Sequence, residues 1–446
     1  MTSQDIIVTP LLIILLFLVS LIIYQKATDR AIRKYFYPAI VAKILGAIAL
    51  GCIYQFYYKS GDTFTYFNNG SYYLYKAFLD SPAKGISLLL TRAGHHAVST
   101  YEYSSKITFF NDPSSFFVIR VAGILDLFTF HTYSATAILF SIFSFSGSWA
   151  MYKGFYRMFP RLHFQLALAI FFIPSVFFWG SGLMKDSLTF GALGWATYAF
   201  IQIFIKRESV ITNVLILLLS FYIIYVVKIY ILLCFIPSLL VWLYIKYISF
   251  IRNLVLRIML LPFILSLIVV AGYFSIIRIS AENTRYNLNS ISETAEATAR
   301  WISYVSEIEG GSTYNLGDYD FSPSGMARKS YKAIWVTLFR PYLWESHNAV
   351  MIISALESLA FLAITLYVFF RSGLLRLSRI LISKPVVIFC LVFSLSFSFA
   401  VGISTYNFGS LARYKIPMMP FYMIAMILIY YYSKRPKKLV KLEPAE

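Results

Sequence analysis

The sequence predicts an all-α, polytopic integral membrane protein. Hydrophobic residues make up 59% of the 446 positions against 13% charged, and mean hydropathy is +0.70. The apolar residues also fall into runs near the roughly 20 residues that cross a bilayer. At membrane depth every backbone polar group needs an internal partner, so these runs have to be helices. The net charge of +19 would suit a nucleic-acid binder. The lysines and arginines sit in short loops between apolar runs, however. That is the positive-inside pattern of a membrane protein, and it implies membrane lipids and no nucleic acid as partners. Cys52, Cys234 and Cys390 each lie inside an apolar run without metal-ligand spacing and read as packing.

Taken in order, helix length and loop charge assign each run a direction. The first, Ile6 to Tyr24, follows the acidic Asp5 rather than a basic segment and reads as a retained helix. It ends at the basic loop Lys26, Arg30, Arg33 and Lys34, expected inside, which puts the N-terminus outside. Tyr37 to Tyr58 crosses outward and delivers Gly61-Asp62-Thr63-Phe64-Thr65-Tyr66. A tyrosine-rich external loop, 59–114, follows, with aromatics suited to short interfacial helices. Phe116 to Tyr152 holds two apolar halves broken near His131-Thr132-Tyr133, read as one crossing plus one re-entrant or interfacial helix. His163 to Met184 runs outward, Leu188 to Ile205 inward, Val210 to Val227 outward to Lys228, and Tyr230 to Tyr244 back. Met259 to Ile277 goes out again to a second external loop, 278–347, the most polar stretch of the chain. Ala349 to Phe370, Pro385 to Val401 and Ile416 to Tyr432 complete about eleven crossings, with the C-terminus inside and the whole chain read as one polytopic domain. No internal repeat and no Walker-type glycine loop is present, so ATP-driven transport by this chain alone is not expected.

With this topology the unusual polar motifs collect on the external face. They are Asp62 in the first loop, Lys185 and Asp186 at the corner Pro174 to Ser187, Glu345 and His347 ending the second loop, and Arg413 and Lys415 before the last run. Charge kept at the seam of two apolar runs is expensive and points to function. Carboxylates there suit a general base for an acceptor hydroxyl, and cations suit a lipid phosphate, arginine as a bidentate clamp and lysine as a point charge. Each residue also has a plain alternative: Asp62 as a helix cap, Lys185 and Asp186 as an interfacial anchor, Arg413 and Lys415 as snorkelling side chains, Glu345 and His347 as loop residues. Glu357, inside a run, needs a partner. His95-His96 has no third ligand at metal-site spacing, so no metal-ligand set is assigned.

These motifs together resemble the multi-pass GT-C glycosyltransferases that use polyprenyl-phosphate sugars. Asp62 stands where that family places its catalytic aspartate, in the first external loop after an outward crossing. Pro174 through Asp186 is similar to the family's proline-initiated helix whose outer end meets an acidic residue. Arg413-Tyr414-Lys415-Ile416-Pro417 is similar to its arginine-tyrosine element followed by proline. The layout also resembles O-antigen and capsule repeat-unit polymerases. Asp62 lacks the acidic neighbour that many GT-C members carry, and a soluble C-terminal domain of the oligosaccharyltransferase kind is not expected. The resemblance implies a bacterial inner-membrane glycosyltransferase with a polyprenyl-linked sugar donor and a glycan or glycolipid acceptor. Asp62 and Asp186 would be its catalytic carboxylates, Lys185, Arg413 and Lys415 its lipid-phosphate ligands, and Tyr66, Glu345 and His347 supporting groups. A divalent metal cofactor stays open. The competing classes are a lipid-linked oligosaccharide flippase or transporter and a non-catalytic envelope assembly protein.

Overall fold

The computed structural model describes residues 3–27, 29–248, 313–317 and 323–434, with individual positions between 259 and 278. Among the described residues the chain is all-helical, without strands. Seven helices among the described residues are long and apolar enough to cross a membrane, or up to eight counting a bent pair as one span. The chain forms two compact units, Met1–Ile229 and Tyr230–Glu446.

In the first unit, α1 (Ser3–Ala27) runs against α2 (Phe36–Cys52), with Phe17 and Tyr24 on the Tyr37 ring at 6.0 and 5.0 Å. Most leucines and isoleucines of α1 are exposed, as suits a lipid-facing helix. The first-loop residues fold as α3 (Asp62–Tyr66), α4 (Tyr72–Asp80), α5 (Pro82–Leu90) and α6 (Tyr101–Ser104), and the first half of Phe116 to Tyr152 is a separate helix, α7 (Pro113–Thr129). Their inner faces, including Leu74, Leu88, Phe110, Phe116 and Ile119, pack into one apolar cluster with Tyr133, Leu183 and Val227. Small residues allow the close approach: a Cβ on Gly123 would meet Leu74, and one on Gly70 would meet Ile119.

The long helix α8 (Tyr133–Met158) is the buried centre of the unit. Asp5 accepts from its Ser134 amide at 2.9 Å, supplying from α1 a partner for an open helix N-terminus. Its far end meets Tyr35 and His163: Tyr152 donates to the His163 carbonyl at 2.9 Å, and the Tyr35 hydroxyl lies 2.7 Å from His163 Nδ1. Beside it runs α11 (Lys185–Phe200), close enough for a Cβ on Gly147 to lie 1.9 Å from the Gly191 carbonyl oxygen. Further along, Gly154 faces Tyr198 and Ile201, so the two helices advance in the same direction. Lys185 therefore starts α11 at the end of the bundle where Tyr133 starts α8.

Three of the expected crossings have a different form. His163 to Met184 is a broken span: α9 (His163–Phe171), α10 (Pro174–Trp179) and an irregular, buried stretch from Gly180 to Met184. Irregular backbone at such depth is tolerated only where protein groups satisfy it. Here Lys43, buried in α2, donates to the Val176 and Gly180 carbonyls at 3.2 and 2.8 Å; Ser144 also reaches the Gly180 carbonyl at 2.6 Å. Val210 to Val227 and Tyr230 to Tyr244 are two helical segments that meet without a loop, labelled together α12 (Val210–Tyr247), at a kink where Lys228 has non-helical dihedrals (φ −148°, ψ 73°). The crossing expected at Met259 to Ile277 is described only at individual positions, which are helical, and most of the loop 278–347 lies outside the described residues.

The second unit contains α13 (Pro323–Phe339), α14 (Ala349–Ser372), α15 (Leu374–Ser383), α16 (Pro385–Ser404), α17 (Phe408–Tyr414) and α18 (Met419–Lys434). Gly402 admits the Ala333 backbone against α16, and Thr337 donates to the Ser398 carbonyl at 2.9 Å, so α13 and α16 are antiparallel. Phe389 and Phe393 of α16 pack on Phe421 of α18, and Phe361 of α14 stacks on Tyr422. The last span is bent by 68° between α17 and α18.

Candidate functional site

Asp62 opens α3 after Gly61, whose φ of 142° is a conformation side chains rarely adopt. The aspartate is half-buried, and its neighbours fix the helix to α8: Thr63 Oγ1 lies 2.9 Å from the Tyr133 hydroxyl, and Phe64 stacks on the Tyr133 ring at 4.3 Å. One turn later Tyr66 is buried, with its hydroxyl 3.4 Å from Ser115 Oγ.

Ser115 leads into a polar network at the head of α7. Asp112 caps that helix, accepting from the Ser114 and Ser115 amides at 3.0 and 3.2 Å and from Ser115 Oγ at 2.5 Å, with Pro113 in the first turn. Lys185, the first residue of α11, donates to Ser114 Oγ at 2.6 Å and pairs with Asp112 at 3.3 Å. A cation at a helix N-terminus opposes the helix dipole, so Asp112 offsets an unfavourable position. Asp186 follows in that first turn and takes the Lys228 ammonium at 2.7 Å. Asp186 and Lys228 are 1% and 3% exposed, whereas Asp112 is 44% exposed. Two pairs thus meet at the head of α11: Lys185 with solvent-accessible Asp112, and the next residue, Asp186, in a fully buried ion pair with Lys228.

Burial pushes the Asp112 carboxyl up, but the Lys185 ammonium and the bonds from Ser115 and Ser114 outweigh it, and the group titrates below its ordinary range. A depressed carboxyl stabilises the fold above its unfolded value, near about 4, and that contribution is lost as pH falls through the folded value. Asp112→Asn is accordingly expected to lower the unfolding midpoint at neutral pH, with the gap to wild type closing towards pH of about 3. Midpoints recorded in detergent across that range check this; a gap independent of pH means the pairing with Lys185 does not stabilise the fold.

In the second unit, Lys415 is buried at the α17–α18 bend, 3.2 Å from Ser358 Oγ and 4.0 Å from Glu357. Glu357 thereby has the partner that its place in an apolar run demands. Arg413, half-buried, lies in the last turn of α17, where a cation suits the helix dipole. Glu345 pairs with Arg340 through both carboxylate oxygens and accepts the Tyr342 amide at 2.8 Å, which ties it to the turn Leu343–Glu345. His347 is exposed just before Asn348, the cap of α14.

No protein-family model, curated protein or solved structure matches the chain. Its chemistry therefore rests on its own residues. The structure joins Tyr66, Lys185 and Asp186 into one neighbourhood of the first unit, with Asp62 at the same end of the bundle. Arg413, Lys415, Glu345 and His347 belong to the second unit. Asp112 and Lys228 were missed by sequence reasoning. For Asp112 the signal was Asp-Pro-Ser-Ser, a helix-start signature; for Lys228 it was a lone lysine between two apolar runs. Lys43 was missed too, and its bonds to helix-end carbonyls give it a structural task. Among the described residues no three His, Cys, Asp or Glu side chains are grouped so as to hold a metal ion.

Proposed function

We propose that the chain is a membrane glycosyltransferase that takes a sugar from a polyprenyl-phosphate donor on the extracytoplasmic face of a bacterial inner membrane, in envelope polysaccharide or glycolipid synthesis. The observation that supports this best is the network Tyr66–Ser115–Asp112–Lys185, which ties the Asp62 segment to the α11 corner. In this reading Asp62 takes the proton of an acceptor hydroxyl. The oxygen bonds to the anomeric carbon while the bond from that carbon to the lipid phosphate breaks, its electron pair leaving with the phosphate. Lys185 receives that charge. Asp186, buried against Lys228, orients the head of α11, and Lys415 with Glu357 holds the α17–α18 bend. Asp62→Asn is expected to reduce sugar transfer from a polyprenyl-phosphate hexose by about 10²–10⁴-fold in reconstituted vesicles, with the protein still folded. Undiminished transfer by that variant sinks this mechanism.

A lipid-linked oligosaccharide flippase or transporter is the second reading. It is favoured by the broken span His163 to Met184, the kink at Lys228 and the buried pairs Asp186–Lys228 and Glu357–Lys415, all features of helices that carry polar cargo. Movement of a lipid-linked oligosaccharide across vesicles without any sugar transfer selects it. Chain extension of lipid-linked repeat units selects the polymerase form of the enzyme.

A further inference from the structure

We infer that the turn between α7 and α8 is an acceptor-sugar subsite, in which the His131 imidazole takes a hydrogen bond from a glycan hydroxyl beside the exposed Tyr72 ring. This names a substrate site within the transferase reading and rests on that reading. Asp126 is fully buried and holds the imidazole from behind, with His131 Nδ1 at 2.9 Å from Oδ2. Its other oxygen accepts from Thr136 Oγ1 at 2.7 Å, and the Thr129 hydroxyl lies 2.7 Å from that of Thr136, so the carboxylate is fixed in turn. An acid partner makes Nδ1 the donor and leaves Nε2 of the neutral ring with a lone pair. Among the described residues Nε2 has no hydrogen-bond partner, and the side chain is 16% exposed.

The ring is held by aromatics from the first loop. Phe67 stacks on it at 3.9 Å and 3°, Tyr75 lies at 5.7 Å, and Tyr72, 40% exposed, stands tilted by 50° at 5.3 Å. An open aromatic face beside an oriented hydrogen-bond acceptor matches a sugar, whose C–H face is apolar and whose rim is hydroxyls. The groups facing the imidazole that could titrate are Asp126 from α7 and the phenols of Tyr72 and Tyr75 from α4. The backbone is unusual as well: Phe130 and His131 have φ of 53° and 52°, where helix ends normally use glycine. An interfacial aromatic belt needs neither a strained turn nor a buried carboxylate behind its histidine. The turn also adjoins the reacting segment, since Tyr133, two residues on, bonds Thr63 next to Asp62.

Carbethoxylation of His131 by diethyl pyrocarbonate, followed by peptide mass mapping, separates it from the other histidines in the folded full-length protein. Methyl hexopyranosides are expected to slow modification of His131, and Tyr72→Ala to remove that protection. In the transfer assay, His131→Gln and Tyr72→Ala should raise the acceptor KM about tenfold while leaving the donor KM unchanged, the loss of one recognition contact. If no hexoside protects, or inorganic phosphate protects where hexosides do not, the subsite is refuted; the wild-type measurement decides this even where His131→Gln fails to fold. Protection by hexosides in a chain that transfers no sugar upholds the subsite and rejects the transferase reading.

Discussion

Lys228→Met is expected to destabilise the protein by about 3–5 kcal/mol, the largest single effect among charge substitutions here. The reason is burial. Asp186 and Lys228 are 1% and 3% exposed and 2.7 Å apart, so removing the lysine leaves Asp186 without that cation in a place water cannot reach. Taking both charges away is a different experiment. Lys228→Met with Asp186→Leu removes the desolvation cost along with the attraction, and most of the lost stability should return. Unfolding in mixed micelles, with single and double variants compared as a cycle, gives the numbers. If the single variant costs under about 1 kcal/mol, the pair is solvated and the buried description fails. The pair also sits where α12 leaves helical geometry, at φ −148° for Lys228. The Lys228 side chain reaches the first turn of α11 from that kink, so under the proposed transferase reading the double variant should keep stability yet lose sugar transfer, because the head of α11 loses its anchor. Stability and activity then separate, which a purely structural ion pair does not predict.

Helix class and the positions of most apolar runs were legible because they depend on local composition and on the cost of unpaired backbone in lipid. The ion pairs were not. Lys185 and Asp186 are adjacent in sequence and read as one charged couple, yet each takes a partner from a different element, Asp112 and Lys228. Helical geometry points neighbouring side chains about 100° apart, so adjacency says little about pairing. Glu345 shows the same limit from the other side. It read as a loop residue or a supporting group, and its partner Arg340, five residues earlier, which holds it in the turn, was not visible. The broken span His163 to Met184 was hidden because its repair comes from far away in sequence. Lys43 and Ser144 supply the donors that let Gly180 leave the helix. Periodicity cannot register partners 36 and 137 residues off. The prolines and glycines of Pro174 to Gly182 marked a corner, and the structure shows what makes the corner affordable.

Gly194→Val is expected to cost about 3 kcal/mol, at the upper end for overpacking, because the obstacle is backbone rather than a side chain that can turn away. A Cβ on Gly194 would lie 2.1 Å from the Gly147 carbonyl oxygen, and one on Gly147 would lie 1.9 Å from that of Gly191. Real Cβ atoms essentially never approach closer than 3.0 Å, so α8 and α11 would have to separate by about an ångström along the face that sets their parallel course. Gly154→Ala is the comparison: the nearest atom to its Cβ is the far end of the flexible Ile201 side chain at 3.0 Å, which can turn aside, so the cost is under about 1 kcal/mol. Unfolding midpoints of the two variants should therefore differ widely, and equal midpoints would mean that the glycine crossing does not hold the helices. The displacement matters beyond stability. Lys185 begins α11 and meets Ser114 at 2.6 Å and Asp112 at 3.3 Å, distances that do not survive a shift of that size. Suppressor substitutions that restore activity should then shorten a side chain at this crossing, such as Phe143 of α8 beside Gly191, where space can be returned, rather than fall among the charged residues themselves.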